Sequence, residues 1–131
     1  KAIDHWYRDR ALAIFLERYQ HCLQLVAPYG INPVSEASQN QNIGFELRTM
    51  QKRWGSCTKD GKILLNHLLV SAPKDCIDYV IVHELCHLRI HNHSPHFYKL
   101  LETIMPDWKT RKEYLDRRIE LRSRSFKHSK I

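Results

Sequence analysis

Val80-Ile-Val-His83-Glu84-Leu-Cys-His87-Leu88, continued by Arg89-Ile-His-Asn-His93-Ser94, is the stretch that decides how this chain is read. Between Tyr79 and Leu88 the only polar side chains are His83, Glu84 and His87. The segment therefore reads as a helix that is apolar on nearly every side and buried. Residues four apart on a helix lie about 6 Å apart in rise and about 40° apart in azimuth. Two imidazoles so placed can close on one metal ion, and the Glu between them can reach a water that the ion activates. The bland alternative is a pair of core histidines with a surface Glu. It leaves a carboxylate inside an apolar helix without a partner, a cost that a cation removes.

A catalytic zinc site needs a third protein ligand. Continued as a helix, His93 would lie about 15 Å along the axis from His83, far outside a coordination sphere. The chain must therefore break after about Leu88 and fold back. Asn92 suits a helix end, and Ser94-Pro95 reads as an N-cap followed by a first-turn Pro, which leaves His93 on the corner between two helices. The spacing of His83, His87 and His93 is also that of the metzincin pattern, with Ile90 where that pattern has Gly. His96, in the first turn of the new helix, and Glu102, deeper in it, are the rivals of His93 for the third position. His91 and His96 otherwise read as ordinary surface histidines.

Outward from this stretch, the order of elements is α+β. Asp4 to Val26 has the spacing of an amphipathic helix, with Tyr7, Ala11, Ile14, Phe15, Tyr19, Cys22 and Val26 on one stripe and Arg8, Arg10, Glu17 and Arg18 off it. Pro28-Tyr-Gly30 ends that helix, and Ile31 to Asn42, rich in Asn, Ser and Gln, reads as a surface loop. Phe45 to Thr49 alternates as a half-buried strand. Arg53 to Thr58 and Lys62 to Asn66 form a hairpin closed by Lys59-Asp60-Gly61. The expectation is a small three-stranded antiparallel sheet. Gly55 and Ser56 leave a strand that a peptide backbone could approach, or else Gly55 marks a bulge and Trp54 simply packs inward. Ser71-Ala-Pro73 opens the helix that carries His83, with Pro in its first turn. Ser94 to Met105 and Trp108 to about Arg122 are further helices, separated by Pro106-Asp107.

Arg53-Trp-Gly-Ser-Cys57, Gly61-Lys-Ile-Leu-Leu-Asn66, His83-Glu-Leu-Cys-His-Leu88 and Asn92-His93-Ser94 with Phe97 stand together in this order. That set resembles the YgjP-like family of zinc metallopeptidases, relatives of the SprT-like zincins. The match is close from about Phe45 to Leu115 and looser before it. Position 98 is Tyr where many members carry Trp. The resemblance implies a zincin-like fold, a zinc ion held by His83, His87 and His93, and Glu84 as the catalytic residue. It implies chemistry more firmly than a substrate.

The 131 residues are 43% hydrophobic and 27% charged, which suits one globular domain over 1–131. The chain begins at Lys1 rather than Met, as a piece of a longer protein would, and no signal-peptide pattern opens it. No stretch is long and apolar enough to span a bilayer. Cys22, Cys57, Cys76 and Cys86 show neither C-x-x-C pairing nor zinc-ribbon spacing, which fits a reducing cytoplasm better than a disulfide framework. Formal net charge is +7, and residues 117–131 hold six Lys or Arg against one acid, Glu120, a basic tail that could attract nucleic acid.

Three readings follow. The leading one is a zinc-dependent peptidase or amide hydrolase acting on protein or peptide, with Glu84 as general base; Ni²⁺ or Co²⁺ could substitute for zinc at imidazole ligands. The second is a non-catalytic, zinc-containing nucleic-acid-binding module, which has no need of Glu84. The third is a deformylase-like site built from Cys57, His83 and His87. For oxyanion stabilisation, His67, Arg53 and Tyr98 are the candidates.

Overall fold

The computed structural model describes residues 2–33 and 44–122. Helix α1 (Ala2–Val26) forms where the sequence has its 3.6-residue stripe. Ala11, Phe15, Tyr19, Cys22 and Val26 are buried, and Ile14 packs at their side. The side chain of Tyr7 lies outside the described residues. A short 3-10 turn, Ala27–Tyr29, ends the helix as Pro28-Tyr29-Gly30 leads one to expect. Ile31 is not a loop surface residue but part of the core, 3% exposed, because the chain turns inward after Gly30. Most of the expected loop, residues 34–42, lies outside the described residues.

Strands β1 (Phe45–Arg48), β2 (Gly55–Cys57) and β3 (Ile63–Asn66) form one sheet in the order β1-β3-β2. The expectation of an all-antiparallel sheet is corrected here. β2 and β3 are the antiparallel hairpin, but β1 runs parallel to β3, with Phe45 opposite Ile63 and Arg48 opposite Asn66. The physical reason lies in burial. Ile63, Leu65 and Asn66 are all inside, so β3 takes the centre, where both backbone edges are paired. Residues Thr49–Trp54 carry the chain from β1 past β3 to the far edge, so consecutive strands are opposed without being neighbours. Asn66 pins this crossover. Its side-chain amide donates to the carbonyls of Met50 (2.8 Å) and Arg53 (2.9 Å), and its backbone N–H donates to Trp54 O (2.9 Å). Its Oδ1 accepts from Leu68 N (3.1 Å), starting the 3-10 turn His67–Ser71 that leads to the next helix.

The hairpin closes as Asp60-Gly61 suggests. Gly61 has φ 88°, in the left-handed region, and its N–H donates to Thr58 O at 3.0 Å while Thr58 N donates to Lys62 O at 2.8 Å.

Helix α2 (Lys74–Cys86) is inside on every side from Cys76 to Cys86. Pro73 is its N-cap residue, just outside the helix, where the sequence suggested a first-turn position; Cys76 and Ile77 donate back to Pro73 O, so the helical bonds start one residue later. Among the buried α2 residues is Asp78, 5% exposed, whose carboxylate accepts from Arg18 Nε (2.8 Å) and Nη2 (2.6 Å) on α1. This fork ties α1 to α2. After Cys86 the helix tightens into i→i−3 bonds: His87 N to Glu84 O, Leu88 N to Leu85 O and Arg89 N to Cys86 O, all 3.0–3.1 Å.

Helix α3 (Pro95–Ile104) buries Phe97 and Leu101, with Leu100 and Ile104 half-buried beside them, and starts at Ser94-Pro95 as read; Ser94 makes no side-chain cap bond. Helix α4 (Trp108–Arg122) follows Pro106-Asp107, and the Asp107 carboxylate reaches Arg111 Nε at 3.1 Å. Of the basic C-terminal residues, Arg117, Arg118 and Arg122 are on α4, and residues 123–131 lie outside the described residues. No helix among the described residues is long and apolar enough to cross a membrane. All four cysteines are free thiols.

Candidate metal centre

Three imidazoles converge where α2 ends. His83 projects from the last turns of α2, His87 is the residue on which the helix stops, and His93 stands in the link before α3. One ring nitrogen from each lies within 4.8 Å of the others, and His87 Nε2 is 3.0 Å from His93 Nε2. The fold-back after Leu88 is what brings His93 in: the tightened turn shortens the path, and Ile90 N donates to Cys86 O at 2.9 Å to reverse it. His96 instead lines a groove with Tyr29 and Arg89, and Glu102 lines another with Tyr98 and Pro106. Neither joins the cluster, which is the one such group of three found among the described residues.

The donor set suits a cation. His87 Nδ1 stands 3.1 Å from Ile90 O, a bond in which the nitrogen must donate, so Nε2 keeps its lone pair toward His93. Burial above all holds the His87 imidazole below its ordinary range, against the Ile90 carbonyl, which pulls the other way. Burial also lowers His93, reinforced by the two neighbouring imidazoles. Both rings are thus biased to the neutral form that binds metal. His83 Nδ1 is buried without a hydrogen-bond partner. It lies 3.3 Å from Glu84 Oε2 without forming a hydrogen bond to it. A tetrahedral zinc site has nitrogens about 3.3 Å apart. The His87–His93 pair, at 3.0 Å, is near that spacing, and His83 offers a nitrogen within 4.8 Å of both.

Phe97 is the residue whose part the sequence did not disclose. Its ring, fully buried, touches all three imidazoles, stacking on His87 at 4.3 Å between centroids and meeting His83 and His93 edge-on at 5.0 and 5.1 Å. The available signal was its position, four residues beyond His93 on the face that α3 turns to the core.

Glu84, 3% exposed, looks from α2 into a cleft of about 540 Å³ lined by all three histidines, His91, Arg53, Lys59 and β2. Gly55 makes the closeness of β2 possible. A Cβ there would sit 2.8 Å from Val80 Cγ1, 3.2 Å from Leu64 O and 3.3 Å from Glu84 Cγ. Cys57 is in the cleft wall, but its sulfur is not part of the histidine cluster. Burial and the nearby Glu84 charge push its thiol up to about 11, so it is protonated at neutral pH. A Cys57-His83-His87 set is therefore not assembled. Of the oxyanion candidates only Arg53 lines the cleft; Tyr98 stacks between Trp108 at 5.3 Å and His93 at 6.1 Å, and His67 Nδ1 lies 3.5 Å from Thr49 Oγ1.

The YgjP-like metallopeptidase domain profile matches residues 1–118. The chain belongs to that family. Family membership and the histidine cluster, two rings buried and His93 exposed, together point to a bound metal ion, zinc being the usual one for such chemistry. Comparison with curated proteins gave no match. In this chain His83 and Glu84 lie on α2 and His87 at its C-cap, and the helix is packed by α1, the sheet, α3 and α4.

Proposed function

We propose that this chain is a zinc-dependent peptidase in which His83, His87 and His93 hold the metal and Glu84 is the general base. What carries the reading is the convergence of three imidazole nitrogens within 4.8 Å beside a carboxylate that is otherwise buried in an apolar helix. Zinc on three neutral imidazoles supplies Lewis acidity, both to a water and to a scissile carbonyl. Glu84 takes the proton from the attacking water and delivers it to the leaving amine. Burial of Glu84 on α2, with Gly55 against its stem, fixes the carboxylate before substrate arrives. His87 is oriented by Ile90 O and all three rings by Phe97, so the chain itself sets the ligand geometry.

The substrate is an extended peptide lying along β2. β2 is an edge strand of the sheet, it lines the cleft beside Glu84, and Gly55 removes the side chain that would hold a backbone away. Glu84→Gln tests the chemistry: metal content and thermal midpoint stay at the unsubstituted values while hydrolysis of unstructured protein substrates disappears. Turnover retained by that variant overturns the role of Glu84. Metal content of His93→Ala, measured on protein purified without a metal-affinity tag, tests the ligand set. One zinc per chain, lost in the variant, is the expected result, and full zinc in His93→Ala removes His93 from the site.

A further inference from the structure

We infer that the cleft selects peptides carrying acidic side chains on both sides of the bond to be cut, through Arg53 at one end of β2 and Lys59 at the other. This rests on the reading of the cleft as a peptide site. Both residues line it, both are exposed, and neither pairs with a carboxylate among the described residues. That distinguishes them from the cations on the rest of the sheet. Arg48 and Lys62 both hold Glu46, at 2.8 and 2.7 Å. Asp60, the acid next to Lys59, is turned to the Thr58 hydroxyl instead. Glu46 and Asp60 are thus engaged with partners other than Arg53 and Lys59.

The interior of the cleft carries one carboxylate, Glu84, and it lies at the floor among the imidazoles. Arg53 and Lys59 stand on the rim. Arg53 lines the cleft just before β2 begins. Lys59 lies in the hairpin turn at the opposite end of β2. Six residues of extended chain reach at most about 20 Å, so a bound segment of about that length meets a cation near each end with the reacting bond between them. Two like charges on the rim, neither paired with the Glu84 carboxylate at the floor, make a surface whose complement is an acidic segment. A basic substrate residue at either end meets repulsion in addition to losing the pair.

The test is binding, read separately from turnover. Fluorescence anisotropy on zinc-loaded Glu84→Gln protein is measured with acetylated, amidated eight-residue peptides that have neutral centres and ends of Glu, Ser or Lys. The acidic-ended peptide is expected to bind about tenfold more tightly than the neutral one, with each cation accounting for about three- to fivefold. Arg53→Glu/Lys59→Glu is expected to reverse the order, so that the basic-ended peptide binds best. Lys99→Glu/Lys109→Glu has the same net charge with the cleft untouched and is expected to keep the acidic preference. Equal affinity for the three peptides, no binding of the acidic one, or a preference that survives the rim reversal overturns the inference. The peptidase reading fails separately: if Glu84-intact protein cuts none of the peptides while binding follows rim charge, the chemistry is wrong and the selectivity stands. If it cuts all three equally, the selectivity is wrong and the chemistry stands.

Discussion

Gly55→Ala is the sharpest perturbation of how β2 sits on α2. The backbone at Gly55 is not in the left-handed region, so the substitution adds a methyl group without backbone strain, and its whole effect is steric. The new Cβ would stand 2.8 Å from Val80 Cγ1, where carbon atoms normally rest at about 3.5–4.0 Å. Val80 cannot swing away easily, being fully buried and β-branched. Leu64 O, at 3.2 Å, belongs to the central strand and is equally fixed. Relief must come from separating strand and helix by several tenths of an ångström, at about 1–3 kcal/mol for an overpacked core. For a domain of this size that is about 4–12 °C in thermal midpoint. Calorimetry reads it directly, and Val80→Ala supplies the control. If the clash is with Val80, the double variant recovers at least about 1 kcal/mol relative to the sum of the single variants. Glu84 Cγ is the third neighbour at 3.3 Å, so hydrolysis is expected to fall by about tenfold or more while metal content stays unchanged. An unshifted midpoint, or strict additivity with Val80→Ala, refutes the reasoning.

Three further outcomes are expected. Asp78→Ala strands the Arg18 guanidinium, whose side chain keeps 17% exposure, and should cost about 2–4 kcal/mol in urea unfolding; an effect under about 0.5 kcal/mol would mean the fork contributes nothing. Phe97→Leu should lower zinc affinity about 10–100-fold in competition with a chromogenic chelator, since it removes the ring on which the imidazoles rest, and unchanged affinity would deny Phe97 that part. Metal-free protein should lose stability on acidification. His87 and His93 are lowered from 6.5, so the unfolded chain binds protons first as pH falls, and stability declines from about pH 6.5 down to the folded values. A urea midpoint that rises between pH 7.5 and pH 5.5 would contradict this.

Much of the site was legible because its chemistry is local. His83, Glu84 and His87 share one stretch of helix, and helical spacing alone brings them together. His93 required a further inference, that a straight helix could not deliver it, and the tightened turn from His87 to Arg89 is the physical means by which it arrives. What stayed hidden is non-local. Arg18 looks like a solvent-facing residue in its own helix and becomes half of a part-buried fork only because Asp78 comes to meet it from 60 residues away. The parallel pairing of β1 with β3 is hidden for the same reason. The first strand announces itself by alternation and the other two by their tight turn, but which strand is central depends on the summed burial of the sheet against the helices.

Those two hidden features also explain why the legible one is rigid. α2 has no polar face with which to anchor itself in solvent, so its position is set by what packs on it. Arg18 holds it to α1 near Asp78, one turn before His83, and Gly55 lets β2 press on it at Val80 and Glu84. Phe97 on α3 closes the far end, against all three imidazoles. Directional constraints from three different elements thus fall within the span Asp78–His87. A ligand set and a general base on one helix gain little from helical spacing alone if that helix can slide or rotate by an ångström. The ion pair fixes translation along α1, the glycine contact fixes the distance to the strand, and the aromatic contact fixes ring orientation. Loosening the first should therefore degrade zinc affinity at a distance: Asp78→Ala touches none of His83, His87 and His93, its one histidine neighbour being His21 at 3.9 Å, and weaker zinc binding by its folded population would show the fork acting through α2.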